Sequence, residues 1–192
     1  MTVSEKEQIE EIKKNAPKLI DKRDPLIRTV LQKFDFSNPP LNPTEVSYML
    51  CDTMLVNNGI GLAANQIGIP YRIFAMRTEP MVVCFNPKIV DKSTKETVMD
   101  EGCLTFPGFF VKVSRADIIK VRYTEPNGQT VTKKFSGMTA RIFQHELDHL
   151  DGKLFTDNIN RTVLALAMKK ANKRGFKYTA QDFYNGVTTV SR

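Results

Sequence analysis

Hydrophobic positions follow a helical period in three parts of the chain. Between residues 43 and 57, apolar residues recur every three or four positions, and Asn42 stands where a helix cap is expected. The same spacing predicts helices over residues 137–149 and 162–173. Each of these two later segments is soon followed by a glycine that can end a helix.

Short runs rich in β-branched and aromatic residues predict strands between the helices. They are residues 71–76, 81–85, 109–113, 118–123 and 130–135. The turn Pro126-Asn127-Gly128 joins the last two runs into an expected hairpin. Together the elements predict an α+β fold, with short mixed or antiparallel sheets packed around a central helix and a further helix towards the C-terminus.

Composition indicates the number of domains and the cellular compartment. The chain has 192 residues, of which 41% are hydrophobic, enough for one domain with a sizeable core. Its three cysteines lack the spacing of secreted disulfide proteins, which favours a reducing compartment. No apolar run reaches the length of a membrane span, and the first residues, rich in Glu and Lys, resemble no targeting peptide. We therefore expect a cytoplasmic protein with no membrane association.

The net charge of +7 is concentrated near the C-terminus. Residues 161–192 contain seven cationic side chains and one acidic one, a net charge of +6. Most of the cationic side chains fall in or just after the third predicted helix. Such a segment is compatible with a solvated helix face, and also with docking to a polyanion such as RNA.

The second predicted helix carries a metal-binding pattern. The sequence contains only two histidines, His145 and His149, spaced four residues apart. Side chains at this spacing lie on one face of a helix, so both imidazoles can bind one metal ion. Glu146 stands beside them, where its carboxylate can take up a proton. A lone histidine is more often structural, but this pair with its intervening Glu predicts a metal site.

A catalytic site of this kind needs a third protein ligand. Many metalloproteases take it from downstream, yet here Phe155 occupies the position of such a His, and no Glu or His follows His149. Upstream, Cys103 is the best candidate, in a segment (residues 100–105) that we expect to be a compact turn before a strand. Cys51 and Cys84 lie in apolar runs and are interpreted as buried core residues.

Three segments together resemble the peptide deformylase family. They are residues 59–66 (GIGLAANQ), 101–105 (EGCLT) and 144–150 (QHELDHL), and the resemblance covers about residues 20–170. Two positions depart from the family pattern. Thr105 stands where the family usually has Ser, and Phe109-Phe110 stand where it has an arginine. We expect one of these phenylalanines to form an aromatic rim of the substrate cleft.

The resemblance implies an activity and a set of roles. It implies a metal-dependent hydrolase that removes the N-formyl group from the N-terminal methionine of newly synthesised polypeptides and releases formate. Cys103, His145 and His149 would then hold one divalent ion, Fe²⁺ natively with Zn²⁺ also suitable. Glu146 would transfer protons. Gln66 and the backbone N–H of Leu104 would donate to the oxyanion.

Further expectations concern the substrate, the domains and the partners. The residues expected to contact substrate are Ile60, Gly61, Met99, Glu101, Met138, Arg141 and Ile142. The expected division is a charged lead-in (1–20), a catalytic domain (21–175) and a C-terminal tail (176–192). The expected partners are formylmethionyl nascent peptides and, through the basic C-terminal helix, the ribosome.

Two other classes of protein share some of these features. A zinc peptidase of another type would use the same histidine pair, and would release amino acids from unformylated peptides. A non-enzymatic, basic RNA-binding module would carry a structural metal. A structural site normally has four protein ligands, whereas only three are evident here.

Overall fold

A computed structural model describes residue 10 and residues 12–184 of the chain. Residues 10 and 12–15 are helical. Four later helices are present: α1 (Pro43–Val56), α2 (Gly137–Leu150), α3 (Arg161–Lys173) and the single turn α4 (Gln181–Tyr184). Two 3-10 turns, Pro25–Arg28 and Ala64–Ile67, connect the other elements. Part of the predicted lead-in and part of the predicted tail lie outside the described residues.

Seven strands form two antiparallel sheets in the described part of the chain. The strands are β1 (Gly61–Ala63), β2 (Ile73–Met76), β3 (Val82–Lys92), β4 (Glu96–Cys103), β5 (Phe106–Ala116), β6 (Ile118–Thr124) and β7 (Thr130–Ser136). The larger sheet has the order β1-β2-β3-β6-β7, and β4 pairs with β5 in the smaller one. The predicted α+β class with antiparallel sheets is confirmed.

Helix α2 contacts strands of both sheets. Its apolar side chains Ala140, Ile142 and Phe143 face the core that the larger sheet builds. A second core lies between α1 and strands β1 to β3, and a third joins β5, α3 and the C-terminal residues. Because α2 touches both sheets, the polar residues on its buried face are held between them.

The three predicted helices and five predicted strands are present, although β3 and β5 are longer than expected and β2 begins two residues later. Asn42 caps α1 by accepting bonds from the N–H groups of Thr44 and Glu45. Strands β1 and β4 were missed. Strand β1 has only three residues, and residues 96–100 of β4 are all exposed, so neither gives an alternating pattern.

The expectation of a compact turn over residues 100–105 is wrong. Residues 100–103 form the end of β4, paired with β5, and the turn consists of Leu104 and Thr105 alone. Pairing with β5, the next strand along the chain, therefore makes this segment a strand.

Phe143 offers a test of the core between α2 and the larger sheet. Its ring is fully buried and packs edge-on against Phe74, with ring centroids 5.0 Å apart. Phe143→Ala should lower the free energy of unfolding by about 3–5 kcal/mol, because it leaves a cavity in close-packed surroundings. Urea denaturation measures the effect, and Leu166→Ala on the exposed face of α3 is the control. A loss below about 1 kcal/mol would show that the site is not tightly packed.

Candidate metal centre and catalytic cleft

Helix α2 brings the two histidines together on its buried face. His145 and His149 are 8% and 1% exposed, and their ring centroids lie 5.2 Å apart. Gly137 begins the helix with φ +57°, and Gly152 follows its end with φ +67°, a backbone conformation that favours glycine. The two glycines thus delimit the helix, and its buried face places both rings beside the smaller sheet.

Cys103, the last residue of β4, completes a set of three side chains that could hold a metal ion. Its Sγ lies 3.2 Å from Nε2 of His149. One ligand atom from each of the three residues lies within 4.8 Å of the others. Ordinary zinc–sulfur and zinc–nitrogen bonds in a tetrahedron separate the ligand atoms by about 3.5 Å. The three side chains therefore fit a single divalent ion.

A buried carboxylate fixes the ring of His145. Glu101 Oε2 lies 3.0 Å from Nδ1 of His145, which leaves Nε2 for a metal. Arg115 holds the same carboxylate at both oxygens, at 2.6 and 2.9 Å, and Arg141 binds Oε1 at 2.6 Å. Burial alone would raise the pKa of Glu101, but the bonds from His145 and Arg115 outweigh it and lower the pKa to about 2.

The surroundings of Cys103 favour a thiolate. Burial raises the pKa of this thiol, but the charges of the two imidazoles and their hydrogen bonds hold it well below its usual value. Burial likewise lowers the pKa of His145, yet the bonds to Cys103 and Glu101 raise it to about 10. By contrast, burial raises the pKa of Cys51 to about 11 and that of Cys84 well above its usual value. Of the three cysteines, Cys103 alone has the surroundings of a ligand.

Glu146 lies beside the metal-binding side chains with one free oxygen. It is 4% exposed, and its Oε2 has no hydrogen-bond partner among the described residues. Burial raises the pKa of Glu146 to about 7, although the charges of the two histidines oppose this rise. A Cβ atom at Gly61 would lie 2.2 Å from Oε1, so only glycine allows β1 to pass so close.

Gln66 is buried next to the same side chains. Its Oε1 accepts a bond from the N–H of Ala63 at 2.8 Å. Its Nε2 donates to Oγ1 of Thr105 at 3.0 Å and lies 3.5 Å from Sγ of Cys103. An amide on an exposed loop would have been the ordinary expectation for this residue, but Gln66 is 2% exposed. Its position is therefore that of a side chain belonging to the site.

A cavity of about 480 Å³ opens onto these residues. Six of the seven predicted substrate-contacting residues line it: Ile60, Gly61, Glu101, Met138, Arg141 and Ile142. Met99 lies further back on β4, 38% exposed and outside the lining. Of the two candidates for an aromatic rim, Phe110 lines the cavity and Phe109 is buried in the core.

The structure adds residues that sequence reasoning missed. Arg115, which binds Glu101 and also Asp148 on α2, gave no signal because it lies in a strand far from any motif. Pro107 and Gly108 form part of the cavity wall. Arg141 lines the cavity, but its guanidinium is engaged by Glu101 and by the carbonyl oxygens of Thr97 and Val113.

An α+β fold with a thiolate, two imidazoles and an adjacent carboxylate at the floor of a cleft defines a metal-dependent hydrolase. Residues 17–164 match the model of the polypeptide deformylase family, and the chain belongs to that family. The predicted family and the predicted activity, removal of the N-formyl group from nascent polypeptides, are confirmed. This membership decides against both a peptidase of another type and a non-enzymatic module.

Relatives and solved structures agree with this membership. A peptide deformylase of Rhodopseudomonas palustris is 40% identical over 139 residues, covering 66% of this chain and 77% of the relative. One of Bartonella tribocorum is 34% identical and covers 85% and 96%. The crystal structure of a peptide deformylase from Synechococcus elongatus in complex with actinonin has a TM-score of 0.77 at 32% identity, covering 87% and 89%. That from Thermotoga maritima has a TM-score of 0.71 at 34% identity, covering 76% and 99%.

Glu101 allows a direct test of how the ring of His145 is held. Glu101→Gln should lower metal affinity about ten- to hundredfold, since it removes the charge that orients the imidazole and weakens the ion pairs that hold Arg115 and Arg141 at the site. Competition with a chromophoric chelator measures the affinity. Glu96→Gln, at the exposed far end of the same strand, is the matched control. Unchanged affinity in Glu101→Gln would mean that the ring is fixed by packing alone.

Proposed function

We propose that this chain performs deformylation with Cys103, His145 and His149 as metal ligands and Glu146 as the proton carrier. The observation that carries this proposal is the convergence of the three ligand atoms, within 4.8 Å of one another, beside the unpaired oxygen of a buried glutamate. The cavity that a formylated N-terminus would enter is lined by Cys103, His145 and Glu146.

The metal is a divalent ion, for which the thiolate and imidazole donors are well suited. When bound, it supplies Lewis acidity and lowers the pKa of a coordinated water. We propose Fe²⁺ as the physiological ion and Zn²⁺ as a functional replacement, in line with the resemblance to the family. Glu101 supports metal binding, because its bond to Nδ1 of His145 leaves Nε2 for the ion.

Glu146 moves the proton. Its free Oε2 is buried and has no competing partner among the described residues, so it is available to the nucleophilic water and later to the departing amine. Gly61 contributes by absence of a side chain, because any Cβ there would displace the carboxylate. This arrangement holds one buried carboxylate oxygen ready for proton transfer.

Gln66 and Leu104 stabilise the oxyanion. One N–H of Gln66 donates to Oγ1 of Thr105, and the other donates to Sγ of Cys103 at 3.5 Å. Sulfur is a weak acceptor, so the oxyanion would replace the second bond. Leu104 follows Cys103 directly and lines the same cavity. One such donor typically contributes about 3 kcal/mol to transition-state stabilisation.

The methionine side chain occupies the apolar part of the cavity. Ile60 and Met138 line it although they are 53% and 48% exposed, which is the behaviour expected of apolar groups that a ligand covers. Ile142 lies behind them and is buried. Met99 does not reach this cavity, so we assign the pocket to the other three residues.

The domain division and the cytoplasmic location remain predictions. The family match spans residues 17–164, and residues beyond it are folded against the domain as far as residue 184. Within the described part of the chain, no helix has both the length and the apolar character that crossing a membrane requires.

Helix α3 is proposed to dock the enzyme to ribosomal RNA. Lys169, Lys170 and Lys173 are exposed on it, whereas Leu164 and Ala171 are buried and anchor the helix. Arg174 differs from the lysines, because its guanidinium donates to the carbonyl oxygen of Gly108. Counterion release from RNA phosphates would then raise the local concentration of enzyme near its substrate.

Glu146→Gln tests the proton carrier. The variant should retain stoichiometric metal, because all three ligands remain, and should lose most of its turnover, by at least about a hundredfold, since proton transfer contributes that much. Formate release from formyl-Met-Ala-Ser by anaerobically prepared protein is measured, with iron and zinc content determined on the same sample.

Glu45→Gln, in the exposed first turn of α1, is the matched control and should behave as the parent. Formate release near the parent rate by metal-replete Glu146→Gln would remove Glu146 from its proposed role. Absence of formate release from the metal-replete parent would refute the proposed activity itself.

The ribosome proposal is tested by reversing the three lysine charges. Lys169→Glu, Lys170→Glu and Lys173→Glu together should leave hydrolysis of the short peptide unchanged and strongly reduce co-sedimentation with ribosomes at low salt. The control makes the same change of charge on the larger sheet, at the exposed Lys88, Lys120 and Lys134. Equal co-sedimentation of the two variants across a salt series would mean that α3 presents an ordinary solvated helix face.

A further inference from the structure

The chain beyond the family match returns to the catalytic cleft. The match ends at residue 164, within α3. The residues that follow α3, from 174 to 183 (the C-terminal strap), pack against residues 104–110 (the wall loop), which comprise the turn after β4 and the first residues of β5. The wall loop starts directly after Cys103, and Pro107 and Gly108 within it line the cavity.

Two hydrogen bonds tie the strap to adjacent carbonyl groups of the wall loop. The hydroxyl of Tyr178 donates to the carbonyl oxygen of Pro107 at 2.6 Å. The guanidinium of Arg174 donates to the carbonyl oxygen of Gly108 at 2.9 Å. Pro107 and Gly108 lie in the interruption of the β4–β5 register, between the paired residues Phe106 and Phe110, and have no partner residue on β4. The two side chains of the strap therefore hold the backbone where it forms the cavity wall.

Aromatic packing supports the same loop from behind. The ring of Phe183 stacks on Phe106 with centroids 5.0 Å apart, and its centroid lies 4.6 Å from that of Phe109. Gly108 has φ +71°, and a Cβ there would lie 2.1 Å from the ring of Phe176. The strap and the wall loop are therefore complementary in shape as well as in hydrogen bonding.

The strap is itself anchored to other parts of the molecule. The side-chain amide of Asn172 donates to the carbonyl oxygen of Tyr178 at 3.0 Å and accepts from its N–H at 2.8 Å. At the other end, the buried Asp182 pairs with Arg23 at 2.7 Å, and Arg28 donates to the carbonyl oxygen of Phe183. These bonds would persist if the wall loop moved, so the strap can serve as a fixed support.

We infer that Tyr178 and Arg174 are positioning residues that hold the wall of the substrate cleft, an inference that rests on the proposed function. Neither residue lines the cavity, and neither contacts a proposed metal ligand through a hydrogen bond in the described part of the chain. They act through Pro107 and Gly108. Their contribution is to substrate binding, because an unsupported wall must be ordered each time a peptide binds.

The test separates binding from chemistry with Tyr178→Phe, which keeps the ring and removes only the hydroxyl, and with Arg174→Ala. Each variant should raise KM for formyl-Met-Ala-Ser about fivefold, the effect of one net hydrogen bond, and leave kcat within about twofold of the parent. Arg174→Lys, which retains a cationic donor, should recover part of the loss. Tyr48→Phe on the exposed face of α1 and Lys88→Ala on β3 are the matched controls.

A second measurement does not depend on catalysis. Amide hydrogen exchange of the wall loop should become faster in Tyr178→Phe and Arg174→Ala, with exchange in α2 and metal content unchanged. This readout keeps the inference distinguishable from the proposed function. If the metal-replete parent releases no formate, the proposed function fails, and exchange alone decides whether the strap supports the wall.

KM values within twofold of the parent, together with unchanged exchange in the wall loop, would overturn the inference. A fall in kcat with KM unchanged would also overturn it, because the two residues would then act on the chemistry. Unfolding temperatures measured on the same proteins show whether a change is confined to the loop or reflects loss of the whole fold.

Discussion

The buried carboxylate of Glu101 is the constraint on which the site depends. A charge taken out of water is costly unless it is paired and hydrogen-bonded, and Glu101 is 6% exposed. Its partners come from two other elements, Arg115 from β5 and Arg141 and His145 from α2. Because only this arrangement satisfies the charge, it fixes the smaller sheet relative to the helix. Arg141 strengthens the connection through carbonyl oxygens on both strands of that sheet.

The position of the three proposed metal ligands follows from this connection. Glu101 and Cys103 are two residues apart on β4, so they lie on the same side of the strand. Holding Glu101 against His145 therefore carries Cys103 to His149, one helical turn further along. A strand end and a helix face, distant in sequence, thus place three donors around one point. The carboxylate of Glu101 thus orients the ring of His145 and also determines where Cys103 lies.

The sequence predicts the helical half of this site better than the strand half. His145 and His149 follow from local geometry, because four-residue spacing on a helix is enough to bring them together. Cys103 could be identified only by excluding other ligands and by resemblance, and its strand was taken for a turn. Residues 96–100 of β4 are exposed throughout, so burial leaves no periodic trace, and the strand exists because β5 pairs with it. Arg115 lies on the neighbouring strand β5, and nothing in the local sequence shows that its side chain reaches Glu101 on β4.

The C-terminal residues illustrate how a count of charges conflates different roles. Lys169, Lys170, Lys173 and Arg174 form one basic run in the sequence, yet only the three lysines leave their charges exposed without a bond to the cleft. The guanidinium of Arg174 is used to hold Gly108, and Tyr178, outside any periodic pattern, holds Pro107. The family match ends at residue 164, before these two residues that hold the cleft wall. Because that support comes through backbone carbonyls, which every sequence provides, it could be recognised only from the folded chain.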